Sequence, residues 1–138
     1  MFSAALEIST DKSRIDIAVV HEYLSASYWG VGRSRAVVER SIQNSLCFGV
    51  YHSGRQIGFG RVVTDFAVFA YLSDIFVIPE FQGRGIGKIL VRSMLEHPQL
   101  QGLQVMLLRT RDAHGLYEQF GFRALPRPEE MMGRYASA

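Results

Sequence analysis

A chain of 138 residues with 48% hydrophobic content has enough apolar surface for a buried core, which excludes a disordered or purely charged polymer. A formal charge of +2, with no basic tail, is too small to identify a nucleic-acid binder. The lone cysteine, Cys47, excludes an intramolecular disulfide and any cysteine-clustered structural zinc site.

The first residues carry no basic region followed by a long apolar segment, and no apolar run approaches the roughly 18 residues of a membrane span. The expectation is a soluble cytoplasmic protein of one domain over residues 1–138, without a membrane or nucleic-acid partner. Asp16 to Leu24 places Ile17, Val19, Val20 and Leu24 near one side of a helix. Residues 25–32 favour a loop, in which Tyr28 and Trp29 offer large semi-polar surfaces. Ser34 is suited to cap a second helix running to about Ser45.

From Cys47 the period changes. Cys47–Tyr51 and Gln56–Val63 predict strands joined by the turn His52-Ser53-Gly54-Arg55. Thr64-Asp65-Phe66 predicts a further turn, and Phe69–Ile78, rich in aromatic and β-branched residues, a buried strand ending at Pro79. Gln82-Gly83-Arg84-Gly85-Ile86-Gly87 then feeds a helix. Ile86, Ile89, Leu90 and Met94 form its apolar stripe, while Arg84, Lys88 and Arg92 recur on another face. Gln104–Arg109 predicts a strand, Ala113–Phe120 a short helix stopped by Gly121, and Phe122–Leu125 a last short strand before Pro126. The order is two helices, three strands, then helix, strand, helix and strand. That is an α+β class fold with a mixed sheet.

The glycine turn carries the most chemistry. A helix N-terminus presents backbone N–H groups without intrahelical partners, and these bind phosphate together with the helix dipole. Gly83, Gly85 and Gly87 expose those amides without Cβ atoms, and Arg84 and Lys88 add charge. A P-loop fits less well, because Gln82 stands at its first glycine and Ile89 follows the lysine; the dinucleotide spacing is also absent. A tight strand-to-helix turn without a ligand remains open on these residues alone.

Gln82–Gly87 resembles the coenzyme A-binding signature of the GNAT superfamily of N-acetyltransferases. Leu116-Tyr117-Glu118-Gln119-Phe120-Gly121-Phe122 resembles its second recurrent motif, and Thr110–Gly115 is similar to the same region of simple bacterial members. The resemblance implies a GNAT-like acyl-CoA N-acyltransferase fold with splayed central strands. It further implies acetyl-CoA as donor and a small-molecule, peptide or protein amine as acceptor. Ile75, Phe76 and Val77 would pair with the pantetheine arm. The backbone around Gln82, Gly83, Arg84, Gly85, Gly87 and Lys88 would hold the pyrophosphate.

A neutral amine attacks a thioester directly, so the site needs alignment, oxyanion stabilisation and proton management rather than a protein nucleophile. Tyr117 is the candidate proton donor to the departing thiolate, although its spacing with Ala113, Leu116 and Phe120 also suits packing. Asp65, Asp74 and Glu80 are alternative general bases, working through water, and an acceptor arriving neutral would need none. By resemblance, His21, Tyr28, Trp29, Asp65, Phe66 and Tyr71 form the acceptor wall. The dispersed histidines give no metal site, and Cys47 fits packing better than covalent catalysis. Arg33, Arg35, Arg40 and Arg61 do not define a nucleic-acid-reading helix. The tail after Phe122 is shorter than in fuller family members, which leaves an edge for a partner and an expectation of a homodimer. The alternative function is a non-catalytic or sensory acyl-CoA-binding module.

Overall fold

The computed structural model describes residues 5–136. Strand β1 (Leu6–Ser9) precedes two helices, α1 (Ile17–Ala26) and α2 (Arg35–Gln43). Three strands follow, β2 (Leu46–His52), β3 (Arg55–Thr64) and β4 (Phe69–Val77), and then α3 (Ile86–Leu95), β5 (Val105–Leu108) and α4 (His114–Glu118). The sheet order is β1-β2-β3-β4-β5, antiparallel except for the parallel β4–β5 pair. No helix among the described residues is long and apolar enough to cross a membrane.

Local chemistry explains most boundaries. The Asp16 carboxylate accepts from Val19 N–H at 3.3 Å to start α1, and the Ser34 hydroxyl accepts from Val37 N–H at 3.2 Å to start α2. Ser53 and Gly54, with φ of 50° and 83°, make the left-handed pair that a two-residue hairpin between β2 and β3 requires. In β4, Phe76 opposes Phe59 and Ser73 opposes Arg61, so Asp74 and Ile75 together face Gly60 across a bulge. Asp74 sits there at φ 54°, a conformation that aspartate tolerates better than most residues.

The sheet separates two apolar layers. Phe48, Val50, Ile57, Leu72, Ile86, Leu90 and Met94 pack together on the α3 side. Val20, Leu24, Val38, Ile42, Cys47, Phe59 and Phe76 pack under α1 and α2. Adjacent residues such as Cys47 and Phe48 therefore serve opposite faces, as strand pleating requires.

Some expectations are corrected. β1 was not foreseen, because its short segment, half-buried at Leu6 and Ile8, borrows its order from pairing with β2. The strand expected at Phe122–Leu125 does not form; residues 123–136 are exposed, and the described tail contains only a 3-10 turn at Pro128–Glu130. Prolines 126 and 128 remove amide donors that a strand would need. In α3, Ile89 is exposed and Val91 takes its place in the buried stripe, which is centred on Leu90 and Met94. α4 is confined to His114–Glu118, with Gly121 at φ 91° beyond it.

Candidate functional site

Strand β5 pairs with β4 only at Phe69–Leu72, opposite Val105–Leu108. From Ser73 to Val77 the β4 edge has no β5 partner, and the two strands part. A cleft of about 1030 Å³ occupies this gap, lined on the β4 side by Tyr71, Asp74, Ile75, Phe76 and Val77. Tyr23, Tyr28, Trp29 and Arg33 close one wall, and Arg109, Thr110, Arg111, Asp112, Leu116 and Tyr117 another. Gln82 and Gly87 line it as well, so the cleft reaches the glycine turn.

Gly83 and Gly85 have φ of 77° and 81°, the left-handed region where a Cβ is unfavourable. Gly85 is the N-cap of α3 and supplies no side chain to satisfy its first turn. Among the described residues, the backbone N–H groups of residues 83–88 donate to no protein acceptor. An added Cβ at Gly83, Gly85 or Gly87 would meet nothing within 4 Å, so the turn itself is uncrowded by the protein. Unpartnered amides at a helix N-terminus are the donor set that fits a phosphate or diphosphate. Gln82 turns inward instead, its Nε2 donating to the Val77 carbonyl at 2.7 Å and tying the turn to the end of β4. Arg84 and Lys88 are exposed at the rim, with the Arg84 guanidinium 5.2 Å from the Phe81 ring centre.

The bulge places Asp74 at a charged hub. Its side chain is 1% exposed and accepts from Arg33 Nη1 through both oxygens at 2.9 Å, and from Arg61 Nε at 2.9 Å. Trp29 Nε1–H donates to Oδ1 at 2.9 Å, and Ser73 Oγ is a further donor at 3.4 Å. Tyr23 stacks on Phe76 with centroids 4.1 Å apart, and Tyr28 meets Trp29 edge-on at 5.1 Å.

Tyr117, 9% exposed, lines the same cleft from α4, with its ring edge-on to Phe122 at 6.0 Å. Burial, followed by the charges of Tyr28 and Asp112, pushes its phenol up to about 12, so it is protonated throughout the neutral range. Cys47 is buried outside the cleft, and burial pushes its thiol up to about 11.

Other sequence-derived candidates lie elsewhere. Asp65 does not line the cleft; its Oδ1 accepts from the amides of Ala67, Val68 and Phe69, and these bonds hold its carboxyl below the usual range. Phe66 is exposed in the same turn at φ 60°. Glu80 pairs with Arg55 at 3.1 Å on the surface. His21 Nε2 lies 3.1 Å from the Arg33 carbonyl oxygen and supports the loop behind the cleft. Tyr28, Trp29 and Tyr71 do line it. Sequence reading missed Tyr23, Arg109 and Arg111 as wall residues and Arg33 as an Asp74 partner. Only tertiary contact reveals them.

A family model described as an acetyltransferase (GNAT) domain matches residues 43–124. A solved structure assigned to the GNAT acetyltransferase family, from Xanthomonas campestris pv. campestris, is 46% identical. It superposes with a TM-score of 0.92 and covers 95% of this chain and 93% of that one. A curated protein from Gibberella zeae, named as an acetyltransferase, is 26% identical across 84% of this chain and 78% of its own length. A Staphylococcus aureus structure at 22% identity and a TM-score of 0.74, covering 96% of this chain and 99% of that one, shares the fold.

Proposed function

The chain belongs to the GNAT family of N-acetyltransferases, and on that premise we propose that it passes the acetyl group of acetyl-CoA to a primary amine by direct attack, with Tyr117 as general acid. The unpartnered amides of residues 83–88, opening beside the gap where β4 and β5 part, carry this reading. They supply the diphosphate cradle. The bared β4 edge from Ile75 to Val77 supplies backbone groups for the pantetheine amides.

Bound acetyl-CoA supplies a thioester whose carbonyl carbon is open to attack. The amine nitrogen would form the new C–N bond, and the backbone N–H of Val77, on the side of β4 away from β3, would steady the negative charge that collects on the carbonyl oxygen. The C–S bond would then break, Tyr117 giving its phenolic proton to the departing sulfur and regaining one from solvent before the next turnover. Asp74 is best read as a positioning residue, since its oxygens are occupied by Trp29, Arg33 and Arg61. With Asp65 and Glu80 outside the cleft, the acceptor enters as the neutral amine and the nitrogen's surplus proton leaves to water.

Calorimetric titration with acetyl-CoA, followed by thiol release across an amine panel, tests the proposal. Gly85→Val forces a β-branched residue into a left-handed position, at about 1–2 kcal/mol of strain, and pulls the cradle out of register. The expected result is acetyl-CoA binding about tenfold weaker than in the parent. Equal affinity in the two proteins would place the diphosphate elsewhere. Binding without turnover for any amine would favour the sensory-module reading.

The acting unit of this proposal is a homodimer. β5 is the terminal strand of the sheet, and its outer side borders a hollow of about 620 Å³ lined by Tyr117, Phe120, Phe122 and Leu125. Met131, Met132 and Tyr135 stand exposed in the tail, which supports burial against a second copy. Light scattering is expected to give twice the chain mass; a monomer at all working concentrations would refute the dimer.

A further inference from the structure

We propose that the acceptor amine carries an anionic group, a carboxylate or a phosphate, which Arg33 and Arg111 hold at the Tyr28–Trp29 wall. This rests on the transferase reading and names the substrate class for the same cleft.

The charges lining the cleft are unbalanced. Arg33, Arg109 and Arg111 face it along with Asp74 and Asp112, and Arg61 stands behind Asp74. Four guanidiniums thus surround two carboxylates. Asp74 is shared between Arg33 and Arg61, so that hub alone keeps one positive charge in excess. Neither Arg109 nor Arg111 forms an ion pair among the described residues.

The donor geometry is also incomplete. A guanidinium that grips a carboxylate fully uses two nitrogens in parallel. Arg33 spans both Asp74 oxygens with Nη1 alone, and its Nη2 and Nε donate to nothing among the described residues. Its side chain is 28% exposed, so those free N–H groups belong to a held but open cation. Arg111 is held as well. Its guanidinium lies 3.7 Å from the Tyr28 ring centre, and its backbone N–H donates to the Tyr28 hydroxyl at 3.2 Å. Stacking fixes the plane of the guanidinium and leaves its edge available to an anion.

The contacts run from Arg111 to Tyr28, Trp29, Asp74 and Arg33, and they reach β4 at the bulge, upstream of Val77, where Gln82 ties in the glycine turn. The cationic wall therefore meets β4 at a different point from the diphosphate cradle. A purely cationic acceptor is repelled by this wall. An anion seated on it offsets the excess charge, and the same positive field favours the neutral, nucleophilic form of the nearby amine.

Trp29 is the sole tryptophan of the chain, so its fluorescence reports occupancy of this wall independently of turnover. Titrations in the presence of coenzyme A compare α-amino acids with their carboxamides, and phosphoethanolamine with ethanolamine; putrescine serves as the cationic control. The anionic member of at least one pair is expected to bind about tenfold more tightly, and the preferred pair identifies carboxylate or phosphate. Arg111→Gln is expected to collapse that ratio toward one. Arg33→Lys, which keeps a cation beside Asp74 but removes the fork, is expected to reduce it too. Equal binding within both pairs, tighter binding of putrescine, or a ratio unchanged in both variants would overturn the proposal. An anionic preference without thiol release would support this site while refuting the transferase reading.

Discussion

Tyr117→Phe is expected to lower kcat about a hundredfold or more, the usual range for losing a positioned general acid, while leaving acetyl-CoA affinity nearly unchanged. Phenylalanine keeps the ring in its buried place against Phe122 at the cleft wall, so the fold should tolerate the change. A fall in rate without a matching fall in melting temperature would therefore report chemistry rather than packing. An unaltered kcat would remove Tyr117 from the mechanism.

The pH profile gives a second readout of the same residue. Burial pushes the phenol up to about 12, so the acid form is present across the whole neutral and mildly alkaline range. Rate should climb with pH as the acceptor amine loses its proton, with no descending limb from Tyr117 below about 12. A thiolate leaving into the same cleft would be desolvated as the phenol is, which would raise its basicity alongside that of the proposed donor. The folded protein holds the Tyr117 proton more tightly than the unfolded chain does. Its contribution to stability is thus complete below the ordinary tyrosine value near 10 and is lost as pH rises through about 12.

Asp74→Ala is expected to be the most destabilising single change in the site. It strands two guanidiniums, Arg61 at 13% and Arg33 at 28% side-chain exposure, and removes the acceptor for the Trp29 indole. Removing one partner of a buried ion pair costs about 3–5 kcal/mol, a large part of the roughly 5–15 kcal/mol that holds a domain folded. A melting temperature lower by roughly 10–20 °C should follow. Asp74→Asn keeps the shape and the tolerance for φ 54°, and should lose only about 1–3 kcal/mol. Urea unfolding of both variants checks the order. Both substitutions remove the charge, so equal midpoints for alanine and asparagine would mean that the shape and hydrogen bonds of an amide add nothing, whereas a parent-like midpoint for Asp74→Asn would mean that charge pairing is not what holds the bulge.

The features legible in the sequence are those governed by neighbours along the chain. Ser34 caps the helix it precedes, Ser53-Gly54 turns the hairpin, and Gly83 and Gly85 bare the amides ahead of α3. Each depends on backbone sterics and hydrogen bonds spanning a few residues. The family followed from the same local motifs at Gln82–Gly87 and Leu116–Phe122.

The tertiary structure alone decided which charged groups meet. Asp74 read as a base because its sequence neighbours leave it free, yet its partners come from Trp29 and Arg33, more than forty positions away, and from the adjacent strand. Asp65 and Glu80 read the same way, but one folds onto its own turn and the other onto Arg55. β1 exists because β2 offers it an edge, and no strand forms after Phe122 because the exposed, proline-interrupted tail finds none among the described residues. Backbone preference is short-ranged and so is written locally, whereas burial and ion pairing depend on segments that only the closed sheet brings together.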